Sequence, residues 1–258
     1  MSYSFQDATR EWARVPVDNI AYADPNQLKT MPDAQFRELV KRFEDNRYSL
    51  SGWRNHKNKW RDYLGLDTTT NKTVLDFGCG FGIESLQFIK AGNKVILADI
   101  NQSSLDTATR CLNVNGFKPL QTVLVTGESP FFDLRGQNHV YDIFYSNGVL
   151  HHTPRFKDIL KRACENLADD GEIRLMLYSD VGWVTATNEQ LPEVNEDVAT
   201  NPSFWKFVRF FDEVGTYADW YNREKLEHVV GDFLKVEFCE YITNDDRYLV
   251  AVLKKKAQ

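Results

Sequence analysis

A short apolar run that ends in a glycine-rich loop constrains this chain more than any other feature. Residues 73–77 have the composition of a buried strand, and three glycines within residues 78–82 precede a predicted helix at about residues 84–91. Glycine lets the backbone turn sharply and approach a ligand closely, and the free N–H groups at a helix start attract polar or anionic groups. Asp99 ends the next apolar run, where a carboxylate can accept hydrogen bonds from ribose hydroxyls. The pattern therefore predicts a strand–loop–helix unit that binds a ribose-containing ligand.

Apolar runs alternate with helical patterns along the rest of the chain. The predicted strands are, in order, residues 73–77, 94–98, 122–125, 141–145, 172–178, 234–241 and 248–253. Strands separated by helices indicate a parallel sheet with right-handed crossovers, whereas the last two strands flank a turn at Asn244–Asp246 of hairpin type. We therefore predict an α/β fold whose mostly parallel sheet ends in an antiparallel hairpin. Residues 1–70 are predicted to form a helical extension or lid, and residues 71–258 the main domain.

Composition and charge narrow the class of partner. The chain has 258 residues and a formal net charge of −6, which argues against a nucleic-acid partner because phosphate binding draws on a positive face. The four cysteines occur singly with no C-x-x-C pair, so neither a zinc site nor a disulfide framework is predicted. The first residues lack a secretory pattern, and no apolar run approaches the roughly 18 residues of a membrane span. We expect a cytoplasmic protein with no membrane partner, and the sequence leaves a homo-oligomer open.

The glycine loop does not fit two common nucleotide-binding motifs. A phosphate-binding P-loop requires Gly-Lys followed by Ser or Thr, whereas this chain has Phe81-Gly82-Ile83. A dinucleotide fingerprint places its third glycine three positions after the second, and Ile83 occupies that position. The loop therefore departs from both motifs.

Four segments resemble the motifs of class I S-adenosylmethionine-dependent methyltransferases. Residues 74–82 (Val-Leu-Asp-Phe-Gly-Cys-Gly-Phe-Gly) are similar to the first motif of that family, and residues 98–100 resemble its ribose-binding strand end. Residues 127–129 (Gly-Glu-Ser) are similar to the turn that meets adenine, although the family often has Asp in place of the Glu. Residues 146–152 resemble the fourth-strand segment that lines the site in that family. The resemblance implies a seven-stranded Rossmann-like sheet with S-adenosylmethionine as cofactor and S-adenosylhomocysteine as product.

The same resemblance assigns cofactor contacts to eight residues. These are Asp76, Gly78, Gly80, Asp99, Ile100, Glu128, Ser129 and Asn147. By analogy with the family, Gly78 and Gly80 would contact the methionine part, near Asn147, and Asp76 would lie behind the loop. Asp99 would hold the ribose, and the remaining three residues would surround the adenine.

Two adjacent histidines, His151 and His152, are the candidate catalytic residues. Methyl transfer requires removal of a proton from the accepting atom, and a histidine at the end of a strand suits this role because its ordinary pKa is near 6.5. Adjacent residues at a helix start point in different directions, so at most one is expected to face the acceptor. The alternative is that both residues pack or cap, and no metal site is predicted because no further ligand follows at suitable spacing.

The substrate is predicted to be a small molecule that accepts the methyl group on oxygen or nitrogen. The Asn/Asp-Pro-Pro-aromatic segment of nucleobase amino-methyltransferases is absent, because Ser146-Asn-Gly-Val149 occupies its place. Residues 179–221 form an insert rich in aromatic residues after the fifth strand. They predict either a substrate pocket with a lid or an accessory core or oligomer contact. Within this insert, Tyr217, Asp219 and Tyr221 are the candidate substrate residues.

Two other functions remain compatible with the sequence. A nicotinamide-dependent oxidoreductase can use the same kind of sheet, and a non-catalytic S-adenosylmethionine-binding or partner-docking module would share the same cofactor motifs. Affinity for the two cofactors distinguishes the first alternative, and a labelled-methyl assay distinguishes the second.

Overall fold

The computed structural model describes residues 4–13, 15–16, 22–49, 60–126, 141–211 and 215–256. Its strands fall into a two-residue ribbon near the amino terminus and one large sheet. The ribbon consists of β1 (Val15–Pro16) and β2 (Tyr22–Ala23). The strands of the large sheet are β3 (Thr73–Phe77), β4 (Lys94–Asp99), β5 (Gln121–Leu124), β6 (Tyr141–Asn147), β7 (Leu167–Tyr178), β8 (Leu234–Tyr241) and β9 (Tyr248–Lys255).

The large sheet has seven strands in the order β5-β4-β3-β6-β7-β9-β8. The first five run parallel to one another, and β9 is antiparallel to both β7 and β8. This arrangement confirms the predicted mostly parallel, Rossmann-like sheet with a terminal hairpin. From β3 the chain continues to β4 and β5 on one side and then crosses to β6 and β7 on the other. The carboxyl end of β3 therefore lies where the strand order reverses, and ligands bind at this point in open α/β sheets.

One predicted boundary is wrong. The acidic residues Asp169 and Asp170 with Gly171 were expected to precede the fifth strand, yet β7 begins at Leu167. The pairing register shifts here, because Tyr141 is opposite Leu167 while Ile143 is opposite Glu172. The extra residues form an irregularity within the strand, and such a bulge accommodates polar residues that turn outward to solvent.

Helices cover both faces of the sheet. They are α1 (Phe5–Glu11), α2 (Pro25–Thr30), α3 (Asp33–Tyr48), α4 (Trp60–Leu64), α5 (Ile83–Lys90), α6 (Gln102–Val114), α7 (Phe156–Asn166), α8 (Asp180–Thr187), α9 (Phe204–Phe211) and α10 (Arg223–Val230). Helices α3, α5 and α6 contribute to the core on one face, and α7 and α10 contribute to the core on the other. Successive residues of a buried strand point to opposite faces of the sheet, and each face is covered by apolar side chains. The strands are therefore apolar throughout.

Helix α3 packs firmly against the helix that follows the glycine loop. Phe36 and Phe43 stack on Phe81 with ring centroids 5.4 and 5.1 Å apart. The Arg47 guanidinium donates to both carboxylate oxygens of Glu84 at 2.8 and 3.0 Å, and both side chains are almost completely buried. Paired burial satisfies both charges, so α3 is fixed to the first turn of α5.

The insert forms a small core of its own. Buried aromatic side chains from β7, α8 and α9 pack together with Trp220, and the central members are Tyr178, Trp183, Phe204 and Phe207. This arrangement corresponds to the predicted accessory core.

Within residues 4–13, 15–16, 22–49, 60–126, 141–211 and 215–256, none of the helices combines the length and apolarity needed to cross a bilayer.

Candidate active site

The glycine loop adopts backbone conformations that favour glycine. Gly78, Gly80 and Gly82 have φ values of +80°, +50° and +86°, in the left-handed region that other residues enter at a cost of about 1–2 kcal/mol. A Cβ atom at Gly78 would lie 2.4 Å from Cγ2 of Val149, and one at Gly82 would lie 2.9 Å from Ala108. The loop therefore requires glycine both for its turn and for its close contacts.

Asp99 is a buried carboxylate next to this loop. It ends β4, is 8% exposed, and accepts hydrogen bonds from the backbone N–H groups of Gly80 at 3.1 Å and Asn101 at 2.9 Å. Burial raises the pKa of Asp99 to about 6, although hydrogen bonds from three backbone N–H groups and from the Ser104 hydroxyl oppose the shift. At neutral pH the carboxylate is mostly ionised and is held in place by backbone donors.

One cavity at the carboxyl edge of the sheet brings together six of the thirteen predicted site residues. Its lining includes Gly78, Gly80, Asp99, Ile100, Asn147 and His152. Asp76 lies in the protein interior near the loop, where its carboxylate accepts a hydrogen bond from Oγ of Ser85 at 2.5 Å. Glu128 and Ser129 lie outside the described residues.

Asn147 lines this cavity and carries a buried acceptor without a partner. Its Nδ2 donates to the Tyr145 hydroxyl at 3.1 Å. Its Oδ1 is buried and accepts no hydrogen bond within the part of the chain that the structure describes. A buried polar atom without a partner costs about 1–3 kcal/mol, so this oxygen is suited to a donor from a ligand.

The structure separates the two candidate histidines. His151 is completely buried, its Nδ1 accepts from the backbone N–H of Tyr178 at 3.3 Å, and its ring stacks on the Tyr178 ring at 3.7 Å. Burial, together with the neighbouring His152, lowers the pKa of His151 well below its ordinary value. His151 therefore packs as a neutral ring behind the site and does not line the cavity.

His152 is half-buried and lines the cavity. Its Nδ1 lies 3.1 Å from the backbone carbonyl oxygen of Tyr217, an acceptor that fixes the proton on Nδ1. In that tautomer Nε2 carries the lone pair that can accept a proton. The Trp12 ring lies 4.8 Å from the imidazole, centroid to centroid. Contacts from Trp12 and Tyr217, which lie far apart in the sequence, thus orient the ring.

The three insert residues expected to contact the substrate are buried elsewhere, and none lines the cavity in the described ranges. Asp219 forms a 2.7 Å ion pair with Lys225, and burial raises the pKa of Asp219 against the opposing effect of that lysine. The Tyr221 ring stacks on Phe156 at 4.5 Å. The main chain of Tyr217 reaches the site through its bond to His152.

Sequence reasoning missed one wall of the cavity, which α1 supplies. Phe5, Ala8 and Trp12 line it, at the three- and four-residue spacing of one helix face. Ser4 precedes them and accepts a hydrogen bond from the backbone N–H of Asp7, as an N-cap does. This apolar spacing after a serine was the available signal, but seven helical residues make a weak pattern.

Comparison with known proteins identifies the family of the chain. The sequence profile of a family described as a methyltransferase domain matches residues 68–237, which contain the glycine loop, Asp99 and both histidines. The chain belongs to this methyltransferase family. The match confirms the resemblance to class I S-adenosylmethionine-dependent methyltransferases and favours this activity over an oxidoreductase. The cofactor of the methyltransferase is S-adenosylmethionine.

Two relatives share parts of the methyltransferase sequence. It is 34% identical over 89 residues to a ribosomal protein L11 methyltransferase of Glaesserella parasuis, covering 34% of this chain and 27% of that protein. It is 24% identical over 129 residues to a histidine protein methyltransferase 1 homolog of Dictyostelium discoideum, covering 48% of this chain and 42% of that protein. The alignments thus span less than half of either relative.

Solved structures share the fold of the methyltransferase at low sequence identity. An S-adenosylmethionine-dependent methyltransferase from Clostridium acetobutylicum superimposes with a TM-score of 0.57 at 12% identity, covering 86% of this chain and all of the other. A protein from Pyrococcus horikoshii gives a TM-score of 0.56 at 14% identity, covering 76% and 88% of the two chains. Likeness at this level concerns the architecture of the sheet and its helices.

Proposed function

We propose that this methyltransferase transfers the methyl group of S-adenosylmethionine to an oxygen or nitrogen atom of a small molecule. The observation that carries the proposal is that one cavity is lined both by the glycine loop with Asp99 and by His152. A methyl donor at the first group and an acceptor at the second would meet in the same space.

The polar atoms of the cavity fit the cofactor. The unsatisfied Oδ1 of Asn147 is an acceptor suited to the ammonium group of the methionine part, next to Gly78 and Gly80. The Asp99 carboxylate is suited to the ribose hydroxyls, and Ile100 to the face of the adenine. These assignments follow the class I motif position by position.

His152 is the residue that we assign as proton acceptor. The Tyr217 carbonyl at 3.1 Å holds the proton on Nδ1, and a base oriented by a third group in this way is the usual arrangement for proton abstraction. General base catalysis of this kind contributes typically about 10²–10⁴-fold in rate. His151 supports the site by packing beneath it.

The reaction balances with these groups alone. When bound, the cofactor supplies a methyl group on a sulfonium sulfur, which is already a good leaving group. The O–H or N–H proton of the acceptor passes to Nε2 of His152 while the acceptor atom bonds to the methyl carbon. The electron pair of the carbon–sulfur bond would stay on sulfur, which would leave S-adenosylhomocysteine as the product. Holding the two reactants in line can contribute about 7–11 kcal/mol in favourable cases.

Two features support a small acceptor, one over a protein and one over a nucleobase of a nucleic acid. Helix α1 adds Phe5 and Trp12 to the wall of the cavity, so an acceptor has to enter a walled, mostly apolar space. The nucleobase-type Asn/Asp-Pro-Pro-aromatic segment is also absent after β6. The names of both sequence relatives describe methylation of proteins, which makes protein methylation the outcome to test against.

The experiment uses the full-length protein with methyl-labelled S-adenosylmethionine. A cell extract is separated into a filtered metabolite fraction and a protein fraction, and label transfer to each is measured. We expect transfer to the metabolite fraction that is lost in His152→Gln and retained in His228→Gln, because His228 is exposed on α10. Transfer confined to the protein fraction would contradict the small-molecule assignment, and transfer to neither fraction would favour a non-catalytic module.

A further inference from the structure

Asn101 occupies the N-cap position of α6 but does not cap that helix. Asparagine at this position normally accepts a hydrogen bond from the backbone of the first turn, yet the Asn101 side chain makes no such bond. Its Nδ2 instead donates to the backbone carbonyl oxygen of Trp12 at 2.8 Å, across 89 residues of sequence. Trp12 is the C-cap residue of α1, so this amide satisfies one of the carbonyls that a helix end leaves open.

The same residue is tied to the proposed ribose site. The backbone N–H of Asn101 donates to Oδ1 of Asp99 at 2.9 Å, and Oδ2 of Asp99 accepts from Gly80. One residue therefore contacts the cofactor-binding carboxylate through its main chain and α1 through its side chain. Movement of the Asp99 carboxylate would therefore act on α1 through the two hydrogen bonds of Asn101.

Helix α1 depends on such contacts because it has little support of its own. It is seven residues long, and among its residues only Ala8 is fully buried. Isolated helices of this length are unstable in water. Phe5 and Trp12 are only half-buried and line the cavity, so part of their apolar surface faces the space that ligands would fill.

Trp12 completes the connection at the acceptor side. Its ring lies 4.8 Å from the His152 ring at an interplanar angle of 51°, a separation at which aromatic rings attract each other. The position of α1 thus sets the position of an aromatic ring that packs on the proposed base. This step rests on the proposed function, since the role of His152 is assigned there.

We propose that Asn101 and Trp12 are positioning residues that connect the ribose site to the proposed base. Asn101 holds the carboxyl end of α1 against the cofactor-binding turn, and Trp12 holds the His152 ring in the orientation required for proton transfer. The acceptor half of the site is then formed only while α1 is docked on the cofactor half.

The test combines calorimetry with NMR spectroscopy of the histidine rings, using S-adenosylhomocysteine as the probe. The chain has five histidines, and the His152 signals are assigned by their absence in His152→Gln. An indole ring shifts the resonances of protons close to its face, so Trp12→Ala reports the His152 signals without that ring. We expect Asn101→Ala to move the His152 signals towards their positions in Trp12→Ala. S-adenosylhomocysteine affinity should change by less than about threefold, because the backbone bond from position 101 to Asp99 is kept.

Matched variants separate positioning from folding. Asn113→Ala removes another asparagine side chain of α6, which is exposed, and should leave the His152 signals at their wild-type positions. Asn101→Ser keeps a good N-cap residue with a side chain too short to reach Trp12. It should also move the His152 signals towards their positions in Trp12→Ala, which keeps the test available if the alanine variant folds poorly.

The outcomes distinguish this inference from the proposed function. Wild-type His152 signals in both Asn101 variants would overturn the inference. So would a tenfold or greater loss of S-adenosylhomocysteine affinity without movement of the His152 signals, since Asn101 would then act on the cofactor alone. Failure of the wild-type protein to bind S-adenosylhomocysteine would instead contradict the proposed function.

Discussion

The two halves of the cavity are built in different ways. The proposed cofactor half is mainly the continuous stretch from β3 to Ile100, in which each residue is positioned by the strand, loop or helix that contains it, and Asn147 at the end of β6 adds to it. The acceptor half joins α1, His152 and the main chain of Tyr217, which are far apart in sequence and meet through single contacts. Local backbone geometry therefore determines the first half, and long-range packing determines the second.

This difference predicts where substitutions act. Changes in the cofactor half should reduce cofactor affinity. Changes in the acceptor half should reduce turnover or stability while cofactor affinity is kept. The following predictions test that separation, together with the buried ion pair of Asp219 that packs outside the cavity, from the largest expected effect to the smallest.

His152→Gln should lower kcat by about 10²–10⁴-fold, the usual contribution of a general base. Glutamine keeps polarity and similar size but does not accept a proton at neutral pH. Single-turnover kinetics measure the effect, and calorimetry with S-adenosylhomocysteine should give a wild-type affinity. His228→Gln on α10 is the matched control. An unchanged kcat in His152→Gln would remove this histidine from the mechanism.

Lys225→Met should lower the free energy of unfolding by about 3–5 kcal/mol near neutral pH, because it leaves a buried Asp219 without its partner at 2.7 Å. Since burial raises the pKa of Asp219, protonation relieves the penalty, so the destabilisation should diminish as pH falls. Denaturant unfolding at several pH values measures both effects.

The double variant Lys225→Met with Asp219→Asn provides the control for this ion pair. It removes both charges and retains an acceptor for the backbone N–H of Trp220, which donates to Oδ1 of Asp219 at 2.8 Å in the wild-type protein. We expect most of the lost stability to return. A double variant as unstable as the single one would show that Lys225 contributes through packing rather than charge.

Gly78→Ala should weaken S-adenosylhomocysteine binding by about 100-fold, or ~2.7 kcal/mol. Alanine would be strained at the φ of +80° found here, and its Cβ would lie 2.4 Å from Cγ2 of Val149 in the cavity wall. Gly92→Ala is a matched control, since Gly92 has φ +90° and its added Cβ meets no atom within 4 Å. The control should lose stability but keep its affinity. Equal affinity in both variants would contradict the role of the loop.

Asp99→Asn should weaken S-adenosylhomocysteine binding by about tenfold at pH 8, because a hydrogen bond to a charged group is lost. The pKa of Asp99 is raised to about 6, so the wild-type affinity should fall as pH decreases through that value and the carboxylate becomes protonated. The variant should show a flatter profile between pH 5 and pH 8. Parallel profiles in the two proteins would exclude Asp99 as the titrating group.

The sheet was predictable because its signals are local. Each strand of the large sheet was expected within a few residues of its observed bounds, apart from the early start of β7. That error has a physical cause, since Asp169 to Gly171 have turn character and the pairing on either side of them holds them in the strand.

The positions of the glycine loop and of Asp99 were predictable for the same reason, whereas the lining of the acceptor half was predicted only at His152. The spacing from Gly78 to Asp99 specifies a loop and the strand end beside it. The aromatic composition of the insert indicated a buried cluster, but it did not show which side chains face a cavity. Tyr221 packs against Phe156, while Trp12, outside the insert, lines the site.

The sequence by itself determined the α/β class, the glycine-dependent turn after β3 and the carboxylate next to that turn. Glycine conformations and strand periodicity are properties of short segments. Only the tertiary structure decided that His152 rather than His151 faces the cavity, and that Trp12 and Asn101 join the site. Those outcomes depend on which groups are buried together when distant segments pack, and no short segment carries that information.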